Sequence, residues 1–302
     1  MPRIVEAGQG DGAVASLEAC VDALSASGFD PREEHSLLHA AGWLRRLGAN
    51  RAFLGDILIA RLATAGREGD EDGGYGPQVI PLARRSEAGF MLRAAIWPSE
   101  REQMLLASGN ASFTYGLAHD HNFDFLTLGY FGPGYWSEAY EYEFADVSGW
   151  RGEPVGLRFT GRSRLDPGHV LHYRAHRDVH VQWPADSLSV SLNLMHVDPS
   201  VAWFDQYAFD VEKGTVSQIL NPGASEAFLR IAVGLGGEEA KDLAERFAAS
   251  HPSDRMRLHA FEALASIASR AECEALWRKA EASGARLVAK EASAHRRQLA
   301  EG

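Results

Sequence analysis

The sequence predicts an α+β protein with an antiparallel β-sheet middle and helical ends. Apolar residues recur at helical spacing from about residue 12 to 65. From about 89 to 220 the pattern becomes a succession of short aromatic and β-branched segments divided by Gly, Pro, Asp and Asn. Helical periodicity returns after Asn221-Pro222-Gly223. Most of the short segments have no helical stretch between them, so the strands join without crossover helices, which implies an antiparallel sandwich or barrel.

In chain order, AVASLEACVDALSASG, PREEHSLLHAAGWLRRLG and RAFLGDILIARLATAG each read as an amphipathic helix ending at glycine. Asp30 before Pro31, with Glu33 three positions on, predicts a helix starting at the proline. GREGDEDGGYGP, residues 66–77, reads as an exposed loop or linker, and its acidic residues lack the ligand spacing of a calcium loop. The expected strands are FMLRAAIWP, SFTYGLA, DFLTLGYF, YWSEAYEYEF, VGLRFTGRSRL, HVLHYRA, DVHVQW, LSVSLNLM, VAWFDQYAF and KGTVSQIL. GPGY at 132–135 predicts a turn with Gly134 at positive φ. Beyond 221 come EEAKDLAERFAAS, DRMRLHAFEALASIAS, RAECEALWRKAEAS and a basic last helix, with Ser269 and Glu272 at capping-box spacing. The expected division is 1–77, 78–220 and 221–302.

Composition excludes several classes. The net charge of −11 offers no basic stripe for a phosphate backbone, so nucleic acid is not an expected partner. No run approaches the roughly 18 apolar residues of a membrane span, and the N-terminus lacks a secretory pattern, so the expectation is a cytoplasmic protein without a membrane partner. Cys20 and Cys273 lie in helical patterns far apart, which suits packing rather than a disulfide or a metal site.

Chemistry concentrates in the β region, which holds seven of the twelve histidines. His119 and His121 are one residue apart, so in a strand both rings project to one side, roughly 6–7 Å apart at the backbone, and can converge on one ion. Zinc, iron, nickel and copper all accept such donors. A third ligand is expected from HRDVHVQ, where His176, Asp178, His180 and Gln182 share a polar face. His180, flanked by valines, is the first candidate and His176 the rival. Tyr173, His176 and Gln182 are candidates for contact with substrate or oxygen, and Arg174 or Arg177 for pairing a substrate carboxylate. His169, His172 and His196 read as supporting or surface groups.

The HDH at 119–121 with its following aromatic strand and glycine turn, together with LDPGHVLHYRAHRDVHVQWPADSLSVSLNL at 165–194, resembles the two motif blocks of the cupin superfamily. The likeness is greatest to its three-histidine, thiol dioxygenase-like branch and covers about 130 residues. It implies a double-stranded β-helix barrel in which His119, His121 and His180 hold Fe(II), or another divalent transition metal, with positions left for substrate and O2. Phe125 and Leu126 stand where many cupins place a glutamate ligand, which points to a neutral three-histidine site, with Asp124 and Glu138 as other carboxylates that could reach the metal. Asn193 stands where thiol dioxygenases tend to have histidine, so their Ser-His-Tyr set does not carry over. The expected function is that of a mononuclear non-haem iron oxygenase acting on a small molecule or a peptide residue. The alternatives are a 2-oxoglutarate-dependent oxygenase and a non-catalytic barrel that binds a small ligand.

Overall fold

The computed structural model describes residues 1–6, 13–64 and 76–301. The expected linker at 66–77, with its acidic run, lies outside the described residues up to 75. Contacts divide the chain into two compact units. The first comprises Met1–Phe144, Gly156–Val201 and Ala208–Gly214, and the second Ala145–Val155, Ala202–Tyr207 and Thr215–Gly302.

In the first unit, β1 (Arg3–Ile4), β2 (Val79–Arg85), β3 (Phe90–Trp97), β5 (Phe125–Phe131), β8 (Val170–Tyr173) and β10 (Ser189–His196) form an antiparallel sheet in the order β1-β8-β5-β10-β3-β2. Strands β4 (Ala118–His119), β6 (Trp136–Glu141), β7 (Arg158–Arg164), β9 (Asp178–Trp183) and β11 (Tyr207–Asp210) lie in a second sheet, where the order runs β11-β4-β9-β6-β7. From β3 to β6 and from β7 to β11 successive strands alternate between the sheets.

Alternation of side chains gives the first sheet two apolar faces. Leu92, Ala94, Leu126, Leu128, Leu192 and Leu194 pack with Leu24, Leu37, Leu44 and Phe53 from helices α1 (Leu17–Ser27), α2 (Glu34–Ala49) and α3 (Phe53–Thr64). The opposite face contributes Ala95, Trp97, Phe125, Leu171 and Tyr173 to an inner core with Tyr135 and Leu165. Short helix α4 (Gln103–Ser108) adds Leu105 to it.

The strands do not close into the barrel expected from the sequence; they remain two sheets. Their outer strands explain the open edges: β2 carries Pro81 with a register shift beside it and ends in Arg84-Arg85, and β7 carries Arg158, Arg162 and Arg164. Proline removes a ladder donor and charged side chains oppose further strand addition.

Helix α2 begins at Glu34 rather than at Pro31. The Asp30 carboxylate instead accepts from Arg32 N–H at 3.0 Å and pairs with its guanidinium, which holds residues 30–32 in a turn ahead of the helix. SFTYGLA also departs from expectation: its first two residues end a 3-10 turn at Asn110–Phe113, turns and a single bridge at Tyr115 follow, and strand begins only at Ala118–His119. Its aromatic residues Phe113 and Tyr115 serve the inner core.

The second unit holds β12 (Thr215–Ile219) and five helices, α5 (Ala224–Leu235), α6 (Glu238–Ser250), α7 (Asp254–Ala265), α8 (Arg270–Glu281) and α9 (Arg286–Glu301), packed around Phe261, Leu264, Trp277 and Val288. Ser253 caps α7, and Ser269 with Glu272 forms the capping box of α8. Around α7, Arg255 lies 3.0 Å from both Asp205 and Glu226, and His259 lies 2.9 Å from both Glu226 and Glu262. No described helix is long and apolar enough to cross a membrane.

Candidate metal centre

Strand β4 is two residues long, yet it pins His119 from both sides, opposite His180 of β9 and opposite Ala208 of β11. His121 follows just past the strand end. Its Nε2 lies 3.1 Å from His180 Nε2, which in turn lies 3.2 Å from His119 Nε2. The three rings are buried and their donor atoms fall within 4.8 Å of one another.

Three imidazole nitrogens turned toward one point suit a shared cation. Metal–nitrogen bonds of about 2.1 Å at right angles place ligand nitrogens about 3.0 Å apart, close to the two spacings from His180 Nε2. The rings are also in the right charge state. Burial lowers the pKa of His119, and lowers those of His121 and His180 well below the ordinary imidazole value. Neighbouring histidines, and for His121 also Arg93, push the same way. The imidazoles are therefore neutral donors at pH 7. His119 Nδ1 lies 2.9 Å from the Leu117 carbonyl, so the proton sits on Nδ1 and the Nε2 lone pair faces the cluster. The residues present fit a divalent transition metal.

Aromatic rings wall the centre. Phe125 stands edge-on to His121 at 4.7 Å and stacks on Tyr173 at 4.8 Å, while Tyr173 meets His180 at 4.7 Å. Ser137 lies opposite Gln182 in the ladder, in the row next to His180. The Tyr173 hydroxyl faces Ser137, and the Tyr135 hydroxyl faces Thr127 and Gln182. Even so, Tyr173 Oη, Ser137 Oγ and Gln182 Oε1 are buried without a hydrogen bond of normal geometry. Such groups mark a place where a polar guest or water belongs. Asn193 Oδ1 accepts from Thr127 and Ser191, and Ser191 Oγ accepts from Trp97 Nε1.

The other candidate residues lie further out. His176 sits in the turn before β9 at φ +55°, packs on Phe144 at 4.1 Å, and donates its backbone N–H to the His121 carbonyl. Burial lowers its pKa to about 4. Arg174 grips the buried Asp178 through two nitrogens and reaches Glu141 at 2.9 Å; Arg177, more exposed, lies 3.6 Å from Glu141. Asp124 takes up His172 Nε2 at 3.0 Å. Glu138, in register with Val181 and Arg162, falls one position out of step with Ser137 and Ala139. Neither carboxylate joins the histidine group among the described residues. His169 is exposed, and His196 packs edge-on against Phe29.

Sequence reasoning passed over Arg93. It pairs in register with Asn193, which pairs with Thr127, so all three side chains share the inner face of the first sheet. Its charge acts on both His121 and Tyr135. A half-buried arginine within FMLRAAIW has no motif around it; only the register reveals its direction.

No family model matches the chain, and no curated protein is similar to it in sequence. Among solved structures, one reporting DMSP lyases matches at 12% identity, 40% of this chain, 44% of that chain and TM-score 0.22. A DMSP lyase from Ruegeria pomeroyi matches at 13%, 48%, 62% and 0.27. A hydroquinone 1,2-dioxygenase from Sphingomonas sp. with 4-hydroxybenzoate bound matches at 12%, 41%, 68% and 0.26. The chain thus spans less than two thirds of either lyase. The resemblance to cupins read from the motifs fits the structure itself, where two antiparallel sheets and three converging histidines are found.

Proposed function

We propose that the protein is a mononuclear non-haem metal-dependent oxygenase of cupin type, with His119, His121 and His180 holding one divalent cation, Fe(II) in first place. The observation that carries this reading is the approach of the His119 and His121 Nε2 atoms to His180 Nε2, at 3.2 and 3.1 Å, within a buried three-histidine group walled by aromatic rings. When bound, Fe(II) supplies the site for activating O2 beside a coordinated substrate.

The chain's own residues supply the rest. A neutral ligand set leaves the 2+ charge uncompensated and so favours an anionic substrate. Arg93 stands on the inner face, from which it would attract such an anion, while Arg174 pairs with Asp178 and Glu141 and Arg177 lies 3.6 Å from Glu141. Tyr173 and Gln182 offer buried polar atoms to the substrate, Phe125 excludes water from the ring edges, and His176 closes the turn against Phe144. Small molecules and peptide residues are the substrate classes in view, with O2 as co-substrate.

Anaerobic reconstitution with Fe(II), followed by O2 uptake and product mass measurement over a panel of thiols, carboxylates and peptides, tests the proposal. A product heavier by one or two oxygen atoms supports it. Metal-loaded protein that consumes no O2 with any member of the panel counts against oxygenation, and dependence on 2-oxoglutarate with release of succinate would replace it by the other oxygenase class.

A further inference from the structure

Two of the three ligands are set by the sheet, and the remaining one is not. His119 belongs to β4 and His180 to β9, and they face each other in the ladder. Asp120 and His121 come after the last paired residue of β4. Whether the two rings of a His-x-His pair converge depends on the backbone of the residue between them. Here that residue is Asp120, which is fully buried.

The Asp120 carboxylate accepts a hydrogen bond from Tyr142 Oη at 2.6 Å, the short distance of a charge-assisted bond. Tyr142 is itself fixed. Its ring packs on Phe209 at 5.1 Å, and its backbone N–H donates to the Arg177 carbonyl. The next contacts along the chain are the His176 N–H to the His121 carbonyl at 2.8 Å and Asn122 Nδ2 to the Val201 carbonyl at 3.0 Å. Side chains and a turn thus do past residue 119 what the ladder does before it.

We infer that Tyr142 is a positioning residue for the three-histidine centre: through the Asp120 carboxylate, its hydroxyl fixes the backbone between His119 and His121 so that both Nε2 atoms face a common point. The inference rests on the metal-binding reading above. Groups that orient ligands from outside typically alter metal affinity by about 10- to 100-fold when removed.

Co(II) titration of the full-length protein, read by visible absorption and by competition with a chelator, provides the test. Wild-type protein binds one Co(II), and His180→Ala marks the loss of a direct ligand. Tyr142→Phe keeps the ring on Phe209 and is expected to bind Co(II) about 10- to 100-fold more weakly, with an altered visible spectrum and a thermal midpoint of the metal-free protein near wild type. Asp120→Asn, which keeps an acceptor oxygen, is expected to retain more affinity than Asp120→Ala. Tyr142→Phe with wild-type affinity and spectrum overturns the inference while leaving the metal reading intact. A lowered thermal midpoint with unchanged Co(II) affinity does the same, showing a role in folding alone. Should Tyr142→Phe not fold, equal affinities and spectra for Asp120→Asn and Asp120→Ala overturn it, and the expected ranking of those two supports it. Folded wild-type protein that binds no Co(II) overturns both the inference and the metal reading.

Discussion

His121 Nε2 stands 3.1 Å from His180 Nε2, although 59 residues separate them in the chain. Two neutral imidazoles have one N–H each, so this approach is satisfied either by a proton shared between the rings or by a cation between them. His180→Ala removes the member common to both short contacts. The expected outcome is a fall in divalent metal affinity of more than about 100-fold, beyond the loss of an orienting partner, with fold retained. Metal content after dialysis, measured beside circular dichroism, checks it. Undiminished metal in the variant would place the cation elsewhere.

The metal centre and the His259 cluster of α7 are expected to respond oppositely to pH. Around the metal centre, His119, His121, His176 and His180 have lowered values, about 4 for His176. Unfolded, each titrates near 6.5, so below that pH the unfolded chain binds more protons and stability falls as the solution turns acid, until the folded values are passed. In the second unit His259 has the reverse shift, raised first by its hydrogen bond to Glu262 and then by the charges of Glu262 and Glu226, against burial and Arg255. Its contribution is fully present below about 6.5 and is lost as pH rises through the folded value. Amide hydrogen exchange of metal-free protein, corrected for intrinsic rates, should show β9 losing protection as pH falls below about 6.5 and the His259 turn of α7 losing it as pH rises above about 6.5. The same trend in both elements would contradict the assignment.

The turn between β5 and β6 leaves no room for a side chain at Gly134. Gly134 has φ +84°, and a Cβ there would fall 1.8 Å from the Leu165 carbonyl oxygen. Left-handed backbone alone costs a non-glycine residue roughly 1–2 kcal/mol, and relieving the clash would move the segment that brings Leu165 into the inner core. Gly134→Ala is expected to destabilise the first unit by more than about 3 kcal/mol, in the range of severe single substitutions. Urea unfolding monitored by tryptophan fluorescence checks this, and a wild-type midpoint would show that the turn can rearrange freely.

Gly134 was legible because Gly-Pro-Gly states its backbone conformation in the residues themselves. His119 and His121 were legible through their spacing, and His180 through its place between two valines that the sheet buries. Other features depend on long-range pairing that local patterns do not encode. The register that sets His119 opposite His180 joins a two-residue strand to one 61 positions on. SFTYGLA carries strand-like composition mainly because the inner core needs its aromatic rings; its pairing is confined to a bridge from Tyr115 to Gln182 and to Ala118 of β4. Asp30-Pro31 carries a helix-start signature, but a guanidinium two residues later takes the carboxylate first. Barrel closure turns on strand edges rather than on strand content.

Arg93 shows most clearly what register adds. Alternation within FMLRAAIW puts it with Met91 and Ala95, and pairing through Asn193 to Thr127 sets that row on the inner face, where its charge depresses His121. An arginine so placed should attract anions to the metal without helping to hold the metal. Arg93→Met, close in volume and uncharged, is therefore expected to leave Co(II) stoichiometry unchanged while weakening the binding of small carboxylates to the loaded protein. A hydrogen bond to a charged group contributes about 1.5–3 kcal/mol, which corresponds to a loss of roughly 10- to 150-fold in affinity. Titration with acetate and succinate against neutral acetamide, followed in the Co(II) spectrum, separates charge from size. If the variant binds acetate as tightly as wild type, the arginine does not face the bound anion, and the preference for an anionic substrate would rest on the metal's charge alone.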